Sequence, residues 1–277
     1  MSEGFDEAWL ALRERYDHRA RSKPVEEAMR GWAAGRNVVR VLDLGGGTGS
    51  TLRRLAPALP MPQRWTILDH DEALLSAIPA RLSRWAADRG AEWGSGRIAG
   101  GGFDIEVATL RCDLAGDLPL EGHDLITGSA LLDLVSAGWA DRLMDGIGRA
   151  QLWTLNVDGR TEWSPDDPED DRVMGLVRGH QSGDKGFGPA LGGRAAGYLE
   201  AGLRKRGAKV TTGTSDWLLG PGDEAIQRAL LEGYADAATA IEPAEAGAIE
   251  GWRKRRRSWI EAGRSRLTVG HRDLFAC

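Results

Sequence analysis

The sequence predicts an α/β protein built on a mostly parallel sheet with helices on both faces. Three observations predict it. Short apolar runs alternate with helix-period segments across residues 38–158, the pattern of strands joined by crossover helices. The first run, Val38–Leu44, is almost continuously apolar, as a strand buried on both faces should be. It ends in Gly45-Gly46-Gly47-Thr48-Gly49 and opens straight into a helical pattern, which puts a tight turn at the carboxyl edge of the sheet, where ligands of such folds sit.

The elements follow in order. Residues 5–16 and 22–34 read as helices, with apolar positions three and four apart and Pro24 near the start of the second. After the first strand, Thr48–Leu59 reads as a helix stopped at Pro60, Arg64–Asp69 as the second strand and Asp71–Arg89 as a helix. The glycines of Gly94–Gly102 read as a loop. Ile105–Arg111, Asp124–Gly128 and Gln151–Val157 are strands three to five, with a helix over Ala137–Arg149. Gly159–Leu191, rich in Asp, Gly and Pro, breaks the pattern and reads as an inserted lid. Gly192–Arg206 is helical, Ala208–Leu218 a sixth strand, Asp223–Ile241 and Ala244–Gly263 helices, and Arg266–Ala276 a seventh strand. The expected organisation is one domain over residues 1–277. A helical cap covers 1–36, the lid 159–191, and a helical insertion 220–264 precedes the last strand.

Composition excludes several classes. With 42% apolar and 28% charged residues the chain is ordinary globular material. Its 36 basic and 41 acidic residues give a formal charge of -5, which argues against a general nucleic-acid binder. Cys112 and Cys277 provide neither a disulfide framework nor a metal-ligand spacing, and no metal is expected. The first residues carry acids where a secretory leader needs bases, and no stretch approaches the ~20 apolar residues of a membrane span, so a cytoplasmic protein is expected. Eleven tryptophans are read mainly as core fillers.

The glycine turn admits two readings. A dinucleotide fingerprint, G-x-G-x-x-G, would need glycine at Ser50. The pattern D-x-G-x-G-x-G is met at every position by Asp43, Gly45, Gly47 and Gly49. Alternate glycines let the backbone bend sharply and approach a bulky ligand. Asp69 ends the second strand about 20 residues past the last loop glycine, where an acid can accept ribose hydroxyls. Asp113 follows the third strand at the same edge. Either acid alone could merely cap a turn; two acids in phase with the glycine turn favour ligand contact.

At these residues the chain resembles the class I, seven-strand S-adenosylmethionine (SAM)-dependent methyltransferases. VLDLGGGTGS is similar to their first motif, TILDHD to their second-strand acid, and RCDL to their adenine-contacting segment. The resemblance implies a three-layer, Rossmann-like fold with an antiparallel last strand, and SAM as cofactor. It implies that Gly45, Gly46, Gly47 and Gly49 pack against the methionine part, with Asp43 favouring a positively charged ligand. It also implies that Asp69 and neighbouring His70 hold the ribose, that Cys112, Asp113 and Leu114 flank the adenine, and that Ser129 lies near the methionine end.

Methyl transfer from a sulfonium needs alignment of nucleophile and leaving group, and a base only where the acceptor must lose a proton. Candidates lie beyond strands four and five. Asp133 and Asp158 are catalytic candidates: Asp133 could contact the substrate or the cofactor's amino group, or flank the next helix, and Asp158 could contact substrate with Arg160, or form an Asp-Gly turn; Trp139 could wall the pocket or simply be core. In His180-Gln181-Ser-Gly-Asp-Lys185, His180 is the candidate base, with Gln181 and Lys185 contacting a polar or anionic acceptor. The expected activity is methylation of a small polar or anionic metabolite. The alternatives are an RNA or protein methyltransferase using the Arg-rich stretch Trp252–Trp259, or a SAM-binding partner without chemistry. The oligomeric state is not readable.

Overall fold

A computed structural model describes residues 6–146 and 149–277. Asp6 caps α1 (Glu7–Ala20), its carboxylate accepting from the Trp9 amide at 2.7 Å. α2 (Lys23–Ala33) carries Pro24 in its first turn, where the missing N–H is not needed. β1 (Val39–Leu44) leads through the glycine turn into α3 (Ser50–Leu55). β2 (Gln63–Asp69) leads into α4 (Glu72–Ala87), capped by Asp71. β3 (Ala91–Gly94), β4 (Arg97–Gly100), β5 (Phe103–Arg111), β6 (Leu125–Ser129), α5 (Ala137–Gly146) and β7 (Ala150–Ser164) complete the first half. α6 (Asp170–Gln181), α7 (Ala195–Lys205), β8 (Val210–Thr214), β9 (Trp217–Leu219), α8 (Glu224–Ile241), α9 (Ala246–Glu261) and β10 (Arg266–Ala276) follow. Residues 1–5 of the expected cap and 147–148 of the expected helix over 137–149 lie outside the described residues.

The sheet runs β3-β4-β5-β2-β1-β6-β7-β10-β8, with β9 paired to β10. β5, β2, β1, β6 and β7 are parallel, and β10 lies antiparallel between β7 and β8. This is the expected Rossmann-like architecture, and the seven expected strands form its core. Strand order reverses between β1 and β6, which opens a crevice above their carboxyl ends. Among the described residues no helix is long and apolar enough to cross a membrane.

Alternation along the strands sends side chains to two cores. Val41 and Ile67 meet Met29 of α2, Leu52 of α3 and Ile78 of α4 on one face. Leu42, Leu68 and Trp153 meet Leu143 of α5 and Leu199 of α7 on the other. A third cluster joins Tyr16 of α1, Val173 of α6, Ile226 of α8 and Trp252 of α9 to the outer ends of β7 and β10.

Three expectations need correction. The Gly94–Gly102 loop is a hairpin: Ser95 and Gly96, at φ 48° and 76°, form the tight turn between β3 and β4, and Gly100–Gly102 turn β4 into β5. The residues that resembled a loop are hairpin turns. The lid expected from residue 159 begins as strand, because β7 continues to Ser164 against β10. The sixth strand divides into β8 and β9 at Ser215–Asp216, whose side chains face β10 instead of continuing the ladder.

Candidate functional site

The glycine turn is held from below by backbone bonds, Gly46 N–H to Leu68 O at 2.9 Å and Gly49 N–H to Gly46 O at 2.8 Å. Gly46 has no room for a side chain: a Cβ there would overlap Ile67 Cγ2 and lie 2.7 Å from Asp43 Oδ2. Gly47, at φ 53°, sits under Leu10 of α1, whose Cδ1 would be 3.2 Å from an added Cβ. Asp43 departs from its expected role. It is 0% exposed and sits beneath the turn, where it supports Gly46 and does not face the cavity. Burial pushes its carboxyl up to about 8, with the Thr51 hydroxyl and Arg21 opposing.

Asp69 closes β2 with one oxygen on the glycine turn and the other on the residue that caps α4. Oδ2 accepts from the Gly47 amide at 2.9 Å and Oδ1 from the Asp71 amide at 3.0 Å. Each oxygen keeps a lone pair for a further donor. His70 is exposed, 3.3 Å from Asp69 Oδ1. Asp113 accepts the Ala115 amide at 2.9 Å and is otherwise exposed beside half-buried Cys112. Leu114 packs toward Gly45 and its carbonyl accepts from Trp139 Nε1 at 2.6 Å. Trp139 is therefore not a pocket wall: at 2% exposure it is core, and it fixes the Asp113 segment from behind.

A cavity of about 70 Å³ lies at the β1/β6 reversal. It is lined by Gly45–Thr48, Ser50 and Thr51, by Ser129 and Ala130 after β6, and by Leu10, Arg13, Asp17, His18 and Arg21 of the N-terminal helix and its end. The sequence reading missed this polar face of α1. Its only signal was four-residue spacing of Arg13, Asp17 and Arg21, common on any solvated helix. His18 Nε2 lies 3.0 Å from Ser50 Oγ. Burial lowers its pKa to about 4, against the pull of Glu14. Ala130, just after β6, and Leu155, within neighbouring β7, both hold positive φ, 52° and 54°; such strain concentrates at functional sites.

The acceptor-side candidates separate. Asp133 sits on the helical turn Leu132–Leu134, with Oδ1 buried and without a hydrogen-bond partner, and burial raises it to about 6. Arg160 is not free for an anionic substrate. It donates to Asp158 through Nε at 2.8 Å and to Asp216 through Nη2 at 2.8 Å and Nη1 at 3.1 Å, so two carboxylates occupy it and Asp158 is spent as its partner. His180, Gln181 and Lys185 do not line the cavity. They stand at the end of α6 and just beyond, with Lys185 Nζ 3.4 Å from His180 Nδ1. Among the described residues no cluster suits a metal ion.

The Arg-rich helix is neutralised. Arg253 and Arg257 bind Glu232, Lys254 binds Glu250, Arg255 binds Asp167, and fully buried Arg256 binds Asp170. Trp252 is buried and Trp259 lies against Arg256. A surface that grips phosphates needs free cations and stacks bases on open rings; on α9 these cations are paired with carboxylates and Trp252 is buried.

These buried groups set a pH dependence. Asp43 holds its proton up to about 8 when folded but releases it near its ordinary 3.8 when unfolded, so it favours folding less as pH rises between those values. Asp133 acts the same way up to about 6. His18 and His271, lowered by burial from 6.5 to about 4, work oppositely: unfolding takes up their protons, so stability rises with pH across that window. The groups offset one another below pH 6.5, and above it Asp43 acts without them. The expected result is a melting temperature that falls between pH 6.5 and 8, with the slope flattened in Asp43→Asn; scanning calorimetry across that range checks it.

No protein-family profile and no curated protein sequence matches the chain. Similar solved structures include a SAM-dependent methyltransferase from Geobacter sulfurreducens in complex with S-adenosyl-L-homocysteine. It is 16% identical, with 100% of this chain and 99% of that one covered at a TM-score of 0.48. A second, from Thiobacillus denitrificans in complex with the same ligand, is 16% identical with 98% of each chain covered at 0.48. A cyclopropane synthase from Mycobacterium tuberculosis is 13% identical, covering 94% of this chain and 88% of that one at 0.46. The fold itself stands on the sheet order and strand directions, independently of these overlays.

Proposed function

We propose that the protein is a SAM-dependent methyltransferase acting on a small polar metabolite. The observation that carries the reading is the cavity at the strand-order reversal, floored by a glycine turn in which Gly46 has no space for a side chain and flanked one strand away by Asp69. Gly45, Gly46 and Gly47 with Ser129 would hold the methionine part, Asp69 would accept from the ribose hydroxyls, and Asp113 from the adenine amine. When bound, SAM supplies an electrophilic methyl group.

The chain's own contribution is alignment and exclusion of water. α1 lies over the turn, and α6, α8 and α9 pack on the outer ends of β7 and β10; added helices of this kind support a small acceptor over a macromolecule. Asp133 would be the group that receives a proton from an acceptor hydroxyl or ammonium; it does not line the cavity at the turn, and its unpaired buried oxygen and a carboxyl raised to about 6 support the role. The committed guanidinium of Arg160 withdraws the support it gave to an anionic acceptor. The paired cations of α9 give no support to a nucleic-acid substrate.

Calorimetry with S-adenosylhomocysteine tests the cofactor, and transfer of a labelled SAM methyl group into small-molecule fractions tests turnover. Binding without turnover would point to a SAM-binding partner instead. Asp69→Asn is expected to weaken S-adenosylhomocysteine by about 10- to 100-fold, the loss for a charged acceptor of two hydroxyls. Unchanged affinity would remove Asp69 from the ribose site.

A further inference from the structure

A second cavity, of about 350 Å³, lies where α2, α3 and the end of α4 meet on one face of the sheet. It shares only His18 with the cavity at the glycine turn. Four arginines line it: Arg30 of α2, Arg53 and Arg54 of α3, and Arg89 just beyond α4. Pro57 and Ala58 supply its apolar part.

Two of the arginines are fixed walls. Arg53 is held by both oxygens of Glu14, at 2.7 and 2.8 Å, and donates to Thr48 O at 2.6 Å. Arg54 donates to Glu26 Oε2 at 2.8 Å. The other two are open. Arg30 is exposed and comes no nearer than 4.0 Å to that same Glu26 oxygen, which Arg54 already occupies. Arg89 is exposed, lies 4.5 Å over the Trp85 ring and donates Nη1 to Trp85 O at 3.1 Å. Among the described residues no carboxylate pairs with it.

Four guanidiniums thus answer to two carboxylates, Glu14 and Glu26, and burial keeps His18 neutral above about pH 4. The excess of two positive charges is local, because the chain as a whole carries -5. A carboxylate ligand would meet half of it. A phosphate monoester carries about two negative charges near neutrality with three acceptor oxygens, and guanidinium forks match those oxygens in pairs. The apolar strip of Pro57 and Ala58 suits the organic part of such an ester, and the volume is that of a small-ligand site.

We propose that this cavity binds a small organic phosphate, gripped by Arg30 and Arg89 against the fixed wall of Arg53 and Arg54. The site goes beyond the cofactor reading and does not depend on it.

The test titrates phenyl phosphate into the nucleoside-free protein at one fixed ionic strength, by calorimetry and phosphorus NMR, with benzoate as the carboxylate comparison. Phenyl phosphate is expected to bind at least about 10-fold more tightly than benzoate. Arg30→Met and Arg89→Met should each weaken it by about 10-fold, and the double variant should lose it. Arg228→Met, which removes an exposed arginine of α8 outside the cavity, should leave it unchanged. Both cavity arginines are exposed, so folding should survive, and the wild-type comparison of phosphate with benzoate stands even where a variant melts early. No binding of phenyl phosphate, equal affinity for benzoate, or a loss in Arg228→Met as large as in Arg89→Met overturns the proposal. An oligonucleotide that displaces phenyl phosphate and weakens in all three single variants would assign the surface to nucleic acid and overturn it as well. The titrations contain no nucleoside, so failure of S-adenosylhomocysteine to bind would remove the cofactor reading and leave this result standing.

Discussion

Gly46→Ala is expected to abolish binding of S-adenosylhomocysteine while leaving the protein folded. The added methyl would overlap Ile67 Cγ2 and press on Asp43 Oδ2 at 2.7 Å, both immobile in a buried layer. Overpacking of this kind costs about 1–3 kcal/mol in stability. The turn can relieve it only by rising, which carries the Gly47 amide away from Asp69 and toward Leu10. Affinity for S-adenosylhomocysteine should fall by about 100-fold or more, since both ligand-facing features move together. Gly138→Ala is the control: nothing lies within 4 Å of its added methyl, on exposed helix surface, and it should be neutral or stabilising by up to about 1 kcal/mol. Equal ligand affinity in Gly46→Ala and wild type would refute the role given to the turn.

The second large effect is expected at Asp273. Its carboxylate is fully buried and accepts from the amides of Ser22 and Leu155 and the hydroxyl of Ser215. It thereby ties α2, β7 and the break between β8 and β9 to β10, and helps hold Leu155 at its positive φ. Asp273→Ala would orphan three donors and leave Arg21 buried without a counter-charge. Breaking a buried pair this way costs about 3–5 kcal/mol, or a drop of about 10 °C in melting temperature for a chain of this size. Asp273→Asn keeps one acceptor oxygen and should lose less. A melting temperature within a degree or two of wild type in the alanine variant would show that the three elements are held by other contacts.

Much of the scaffold was legible because its signals are local. The apolar runs that became β1, β2 and β6 needed only burial on both faces, and the glycine turn with Asp69 announced itself by spacing. Other features depend on partners distant in sequence. Arg160 looked available because Asp216, 56 positions on, could not be known to meet it. The polar side chains of α1 were ordinary helix residues until the helix crossed the glycine turn. Ser95 and Gly96 signalled a turn, but whether a turn joins strands depends on what pairs beyond it. Trp139 stayed open between pocket wall and core for a related reason: a helical indole shows neither its depth nor its partner.

That same indole has a consequence for how the two halves of the site answer each other. Trp139 donates to the Leu114 carbonyl, behind the segment assigned to the adenine, and packs edge-on against Phe187 of the loop between α6 and α7, their centroids 5.9 Å apart. One rigid ring thus shares its position between a nucleoside-side backbone and a cap-side loop. Where an occupant on one side shifts the ring enough to change affinity on the other, linkage makes the effect reciprocal, by the same factor.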